Sequence, residues 1–158
     1  MITERDIKYL KEAISIADEN INDGGGPFGA LIVKDDTVIS ASGNRVVNNC
    51  DPTAHAEVLA IRIAAEKLGS HILDGCLLYS SCEPCPMCLG AIYWSGIRRV
   101  VFAATRHDAA AAGFSDEHIY DEISLDTGQR SIEFINLEQE KGREVFRKWI
   151  DFPGKIPY

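Results

Sequence analysis

The 158-residue chain lacks several features that would place it in a special class of protein. It has no apolar run of about eighteen residues, so no transmembrane helix is predicted. It also has no internal repeat and no low-complexity segment, which argues against fibrous and disordered classes. The first residues, MITERDIKYLKE, are charged and contain no apolar signal region. We therefore expect a cytoplasmic protein.

Positive charge is also scarce, and this bears on the class of ligand. Lys and Arg number 16 against 24 Asp and Glu, which gives a net charge of −8 and a pI near 4.9. Binding to nucleic acid requires clustered positive charge, so nucleic acid is an improbable partner. The run KGREVFRKW (141–149) is a modest basic candidate. A small neutral or cationic substrate fits the charge balance better.

What is present is the composition of an ordinary globular domain, with 46% apolar and 25% charged residues. Apolar residues three and four apart predict helices, and short apolar or alternating runs predict strands. Predicted helices cover 3–21, 51–69, 86–94, 116–122 and 138–150, and predicted strands cover 28–34, 37–43, 76–81, 98–104 and 131–137. Because Asp51 is a good N-cap and Pro52 suits the first helical position, we start the second helix there.

The order of these elements predicts the fold class. The strands on either side of Asp35 and Asp36 form a hairpin, and later strands alternate with helices. This order is typical of an α/β protein with a three-layer α/β/α sandwich and a mixed five-stranded sheet. No linker divides the chain, so residues 1–158 are predicted to form a single domain.

The cysteines point to metal binding or to reactive thiols. There are five of them, an odd number, and three fall within residues 82–88. In a chain without a secretion signal this clustering does not indicate a disulfide framework. The five are Cys50, Cys76, Cys82, Cys85 and Cys88.

Two short motifs at predicted helix starts contain a zinc ligand set. His55 and Glu57 begin one helix, and Cys85 and Cys88 begin the next. One imidazole and two thiolates suit Zn²⁺ and leave a fourth position open for water. Cys85 and Cys88 are three residues apart and share a helix face. Glu57 is then placed to work as a proton shuttle.

Other interpretations of the same residues remain open at this point. Cys82 could complete a closed Cys₃His structural zinc site, which would leave Glu57 without a role. An iron–sulfur cluster would need four thiolates. Glu57 could also be an ordinary solvated acid on a helix face.

These motifs resemble the signature H-x-E…P-C-x-x-C of the zinc-dependent cytidine deaminase superfamily. The stretches that carry the resemblance are most similar to the bacterial guanine deaminases within it. They are PFGALIVKD (27–35), DPTAHAEV (51–58), SCEPCPMCLGAIYW (81–94), AAAGFSDEHIYDEI (110–123) and the tail that ends in Tyr158. The last two distinguish guanine deaminases, because the earlier ones are shared with tRNA adenosine deaminases. The resemblance implies a cytidine deaminase-like fold that binds one zinc ion per chain through His55, Cys85 and Cys88.

The resemblance also implies a reaction and further site residues. The reaction is the hydrolytic deamination of guanine to xanthine and ammonia in purine salvage or catabolism, with Glu57 and Asp116 as catalytic carboxylates. A homodimer is implied, in which the C-terminal tail 151–158 can be exchanged between subunits. The implied substrate contacts are Phe28, Asn44, the main-chain N–H of Ala54, Trp94 and Tyr158.

Three competing functions stay open beside this one. A tRNA adenosine deaminase, converting adenosine to inosine, would need a basic stripe near the site. A deaminase of guanosine or of another aminated heterocycle would need room for a larger or different ring substituent. A non-catalytic, zinc-stabilised binding module would bind zinc and release no ammonia.

Overall fold

The computed structural model describes residues 2–157, which fall into two compact units, one up to Asp116 and one from Glu117 onward. No helix in this described range combines the length and the apolar character needed to cross a bilayer. The strands are β1 (Gly29–Lys34), β2 (Thr37–Gly43), β3 (Leu77–Cys82) and β4 (Val100–Ala104). The helices are α1 (Glu4–Asn22), α2 (Val46–Asn49), α3 (Ala56–Leu68), α4 (Pro86–Trp94), α5 (Arg106–Ala111), α6 (Glu117–Ser124) and α7 (Gln139–Asp151).

The first unit is built on a mixed sheet with the strand order β2-β1-β3-β4. β1 runs antiparallel to both β2 and β3, and β3 runs parallel to β4. Asp35 and Asp36 form the hairpin turn between β1 and β2, and both have positive φ angles. This backbone conformation matches the twist of the two strands that it joins.

Helices cover both faces of the sheet, as the predicted three-layer sandwich requires. Successive residues of a strand point to opposite faces. Ala30 and Ile32 of β1 pack in one core cluster with residues of α3 and α4. Leu31 and Val33 pack in a second cluster with residues of α1. The mixed α/β/α architecture is therefore confirmed.

Helix α4 follows its sequence signals closely, whereas α3 begins later than predicted. Pro86 occupies the first turn of α4, as expected for a residue without a backbone N–H. The predicted start of α3 at Asp51 is wrong. The Asp51 carboxylate accepts hydrogen bonds from the Thr53 N–H at 2.8 Å and the Thr53 hydroxyl at 2.7 Å, which makes a turn instead of a helix cap. The helix starts at Ala56, and His55 is its N-cap.

The predicted fifth strand over 131–137 is also wrong, because the described residues of that segment are in no strand. The alternation that predicted it is real, but a strand exists only where a neighbouring edge supplies hydrogen bonds. Its apolar side chains are exposed, for example Ile132 at 70% and Leu137 at 78%. Conversely, the short helices α2 and α5 were not predicted.

The second unit contains α6 and α7 and carries the basic run 141–149. Arg143 and Arg147 both pair with Glu140, and Lys141 pairs with Glu138. Local carboxylates thus neutralise much of the positive charge on α7.

Candidate metal centre

Two helix N-termini bring three metal-binding side chains together on the first unit. His55 is the N-cap of α3, and Cys85 is the N-cap of α4 with Cys88 one turn further along. The Nδ1 atom of His55 lies 3.5 Å from each sulfur, and the two sulfurs are 3.5 Å apart. Within the described chain, these three residues form the group of potential ligands able to hold a metal ion.

The size of this triangle fits zinc. Zn–S bonds of about 2.3 Å and Zn–N bonds of about 2.0–2.1 Å in a tetrahedron place ligand atoms about 3.6–3.8 Å apart. The three observed edges of 3.5 Å agree with that geometry. Two thiolates and one imidazole are also the donor types that zinc prefers. His55, Cys85 and Cys88 are therefore positioned to bind one zinc ion per chain, and a tetrahedral ion held by these three residues would keep one position free of protein ligands.

Glu57 lies beside this triangle and not on a solvated helix face. Its side chain is 5% exposed. One carboxylate oxygen, Oε2, is 3.4 Å from the sulfur of Cys88, and the other, Oε1, accepts a hydrogen bond from the Ser80 hydroxyl at 3.3 Å. Burial raises the pKa of Glu57 above its usual range. A buried carboxyl group at this position can both accept and return a proton.

Hydrogen bonds between the three side chains perturb the pKa values of Cys85 and His55. A hydrogen bond with Cys88 lowers the pKa of Cys85 to about 4. A hydrogen bond with Cys85 raises the pKa of His55. A lowered pKa favours the thiolate form of Cys85, which is the form that binds a metal ion.

Cys82 does not join this group, which argues against a closed Cys₃His site. Its sulfur lies 3.6 Å from the carbonyl oxygen of Thr105. Burial raises the pKa of the Cys82 thiol to about 11, so this thiol stays protonated near neutral pH. The fourth corner of the zinc tetrahedron is therefore left for a non-protein ligand.

Asp116 and Phe28, two predicted site residues, lie within the same unit as the zinc ligands. Asp116 is close enough to His55 for its charge to contribute to the raised pKa of the imidazole. Phe28 is half-buried and packs edge-to-face on Phe114, with ring centroids 4.9 Å apart. Phe114 was not singled out from the sequence.

Asn44 and Ala54 both lie on backbone that leads to His55. Asn44 is 8% exposed, and its Oδ1 accepts a hydrogen bond from the N–H of Val46 at 3.2 Å. Its amide NH₂ is therefore the group it can offer to a ligand. The N–H of Ala54 donates to the carbonyl oxygen of Asp51 at 3.1 Å, so a substrate would have to share or replace that bond.

The structure does not bring Trp94 to the metal centre of its own chain. Trp94 ends α4, whereas Cys85 begins it, and nine residues of helix span about 13 Å. Its side chain is 68% exposed. Tyr158, the other predicted aromatic contact at a chain end, lies outside the described residues.

Two serines of β3 support the site and were missed by the sequence analysis. Ser80 is 2% exposed and binds Glu57. The hydroxyl of Ser81 accepts a hydrogen bond from the N–H of Gly29 at 3.0 Å, which fixes the start of β1 next to Phe28. The sequence signal that could have identified them is a pair of adjacent polar residues near the end of an otherwise apolar strand.

Comparisons with known proteins agree with this site. Residues 3–104 match the family model described as the cytidine and deoxycytidylate deaminase zinc-binding region. The chain is similar to the guanine deaminase of Bacillus subtilis (strain 168), with 50% identity over 151 residues, 95% of this chain and 97% of that protein. The X-ray structure of guanine deaminase from that species superposes with a TM-score of 0.94 and 48% identity, covering 100% of this chain and 99% of the other.

Other relatives are deaminases of different substrates. A probable cytosine deaminase of Schizosaccharomyces pombe is 43% identical over 163 residues, 99% of this chain and 92% of that protein. A tRNA-specific adenosine deaminase of Aquifex aeolicus is 41% identical over 144 residues, 89% of this chain and 93% of that protein. The likeness thus extends across deaminases of several ring substrates.

Proposed function

The chain belongs to the cytidine and deoxycytidylate deaminase zinc-binding family, and from this premise we propose that it is a guanine deaminase. It hydrolyses the C2 amino group of guanine and releases xanthine and ammonia. The observation that carries the proposal is an open His-Cys-Cys triangle with buried Glu57 beside it, in a chain 50% identical to a guanine deaminase.

The chemistry follows from the residues around the triangle. Zinc in this ligand set supplies Lewis acidity, which makes water acidic enough to act as a nucleophile near neutral pH. In the proposed reaction Glu57 would take a proton from a water molecule and transfer it to N3, the unprotonated ring nitrogen next to C2, while the water oxygen bonds to C2. As the bond from C2 to the amino nitrogen breaks, the amino group would gain a proton and the C2 hydroxyl would lose its proton to Glu57, so that ammonia leaves and the C2 carbonyl of xanthine forms. A carboxyl shuttle of this kind contributes about 10²- to 10⁴-fold in rate.

The remaining site residues complete the proposal. Asp116 protonates the departing amine, because an amidine-type amine leaves poorly until it is protonated. The half-buried ring of Phe28 contacts a face or edge of the purine, and Asn44 binds a polar edge through its NH₂ group. Contacts from Ala54 N–H, Trp94 and Tyr158 stay predictions from the sequence.

We propose in addition that the protein acts in the cytoplasm as a homodimer and that residues 1–158 work as a single deaminase domain, with the tail 151–158 exchanged between subunits. None of the five cysteines forms a disulfide in the described chain, which suits a reducing compartment. Large apolar side chains on the first unit, Tyr93 at 78% and Trp94 at 68% exposure, offer surface for a second copy. Removal of residues 151–158 should lower both activity and dimer content in light scattering; a fully active monomer would contradict the exchange.

A tRNA substrate fits the structure less well. Three of the four basic residues in the run 141–149 form ion pairs with Glu138 or Glu140. The net charge of −8 further opposes binding of a polyanion. The likeness to a tRNA-specific adenosine deaminase nevertheless makes that activity the second candidate to assay.

A panel of substrates tests the proposal. Zinc per chain is measured first, and ammonia release is then followed with guanine, guanosine, adenine, cytosine, cytidine and a tRNA anticodon stem-loop. We expect turnover of guanine, and a Glu57→Gln variant should keep its zinc while losing about 10²-fold or more in kcat. Turnover of the stem-loop without turnover of guanine would transfer the assignment to tRNA. Zinc binding without ammonia release would indicate a binding module.

A further inference from the structure

A buried asparagine on α1 joins the two segments that carry Phe28 and Asn44. Asn20 is 3% exposed and lies in the last turn of α1. Its Nδ2 donates to the carbonyl oxygen of Gly26 at 2.7 Å and to that of Asn44 at 2.9 Å. One side chain thus bonds two backbone segments that are separated by the whole β1–β2 hairpin.

The same two segments are also bonded to each other and to the metal centre. The N–H of Phe28 donates to Gly26 at 2.8 Å, and the N–H of Asn44 donates to the carbonyl oxygen of Phe28 at 3.0 Å. The N–H of Arg45 donates to Ala54 at 2.9 Å, and Ala54 directly precedes His55. A short hydrogen-bonded path therefore runs from Asn20 to the zinc ligand on α3.

Glycines create the space in which Asn20 makes these bonds. A Cβ atom at Gly25 would lie 2.5 Å from the carbonyl oxygen of Asn44 and would collide with the amide of Asn20. A Cβ atom at Gly43 would collide with the Asn20 side chain from the other side. The Oδ1 atom of Asn20 is buried without a hydrogen-bond partner in the described chain. Asn20 therefore makes its hydrogen bonds only through the two N–H donors of its NH₂ group.

We propose that Asn20 is a positioning residue that sets the placement of Phe28 relative to Asn44 and thereby the affinity for the purine base. This inference rests on the proposed guanine deaminase function. Asn20 touches no substrate itself, because its two donors are engaged with main-chain carbonyls. Its effect reaches the substrate through the two residues that it holds.

Substitution Asn20→Asp is the direct test, because it keeps the shape of the side chain and removes both donors. A carboxylate oxygen then faces two carbonyl oxygens, and the two segments move apart. Since Phe28 and Asn44 contribute ground-state binding, we expect KM for guanine to rise about tenfold or more while kcat changes by less than about threefold. Zinc per chain should stay as in the wild type. An unchanged KM would overturn the proposal.

A matched control separates positioning from loss of stability. Tyr79→Phe removes one buried hydrogen bond, the 2.8 Å bond from the Tyr79 hydroxyl to Asp6, and leaves the Asn20 network intact. Both variants should unfold at lower temperature, but only Asn20→Asp should raise KM. If the two variants raise KM equally, Asn20 is merely structural and the inference fails.

Amide hydrogen exchange tests the positioning without any turnover. In Asn20→Asp the amides of Phe28 and Asn44 should exchange about tenfold or more faster, while those of α4 keep their rates. Unchanged exchange at both amides would overturn the inference even if guanine is the substrate. Conversely, a wild-type protein that releases no xanthine would disprove the proposed function, while the exchange rates would still decide whether Asn20 holds these segments.

Discussion

Substitution of Ser80 by alanine should slow catalysis while leaving the metal centre and the fold in place. Ser80 donates a hydrogen bond to Oε1 of Glu57 at 3.3 Å, and both side chains are buried, at 2% and 5% exposure. The hydroxyl thus fixes the orientation of the carboxylate beside Cys88. Without it, Glu57 can rotate away from the position in which we propose that it exchanges a proton with water.

The magnitude follows from the geometry of this bond. A hydrogen bond to a charged group contributes about 1.5–3 kcal/mol, and a donor–acceptor distance of 3.3 Å favours the lower end. About 1.5 kcal/mol lost from the transition state corresponds to about a tenfold lower kcat. KM should change little, because Ser80 binds the carboxylate and not the purine. Ser80→Thr keeps a hydroxyl and should recover most of the rate.

The assay is steady-state xanthine formation with zinc content and Tm measured on the same samples. Ser40→Ala is a matched control, because Ser40 lies in β2 and not in β3, is 3% exposed and donates a hydrogen bond to the carbonyl oxygen of Ala60 at 2.6 Å. It should lower Tm and leave kcat unchanged. In a Glu57→Gln background the Ser80→Ala change should have almost no further effect. A Ser80→Ala enzyme with wild-type kcat would refute the reasoning.

Two further perturbations test the electrostatics of the fold and the metal. Asp6 accepts hydrogen bonds from Thr3, Tyr79 and Arg99, and the hydrogen bond from the Thr3 N–H is the main cause that lowers the pKa of the Asp6 carboxyl from its usual value. The ionised Asp6 carboxylate therefore stabilises the fold at neutral pH, and this contribution fades as pH falls below about 4. Asp6→Asn should lower the free energy of unfolding, measured with urea, by about 2–3 kcal/mol at pH 7, and it should make that free energy less dependent on pH in the acid range. Chelation of zinc should abolish guanine turnover and lower Tm by about 5 °C or more, and added Zn²⁺ but not Mg²⁺ should restore both; a chelated protein that still deaminates guanine would contradict the assignment.

The sequence predicted an element correctly where residues within that element determine its ends. Helix α4 was placed at its observed bounds because Pro86 suits only the first turn and Gly96 follows the end. Asp51 gave an equally good helix signal, but its carboxylate closes a turn with Thr53 and the helix begins at Ala56. Side-chain capping of a helix and of a turn use the same residue types, so the sequence alone cannot separate them. The prediction of a strand over 131–137 was wrong for a different reason, because a strand needs the edge of a neighbouring strand to pair with.

In the site, too, residues recognisable from local spacing were predicted, and residues that depend on contacts between distant segments were not. His55, Glu57, Cys85 and Cys88 were found because their spacing within two helix starts fixes their chemistry. Ser80 was missed, because its importance depends on a contact with Glu57, 23 residues away in the chain. Contacts between distant segments are set by packing and leave little trace in local spacing.

The position of Glu57 decides between a structural and a catalytic zinc centre. A structural site fills all four metal positions with protein ligands, and it gains nothing from a nearby carboxylate that must be desolvated. Here Cys82 does not supply a fourth protein ligand, because its sulfur is directed to the carbonyl oxygen of Thr105. At the same time a carboxyl group with 5% exposure is held beside the three ligands and is hydrogen-bonded by Ser80. Burial of a carboxyl group carries an energetic cost, and proton transfer beside the metal is the role that we propose for it.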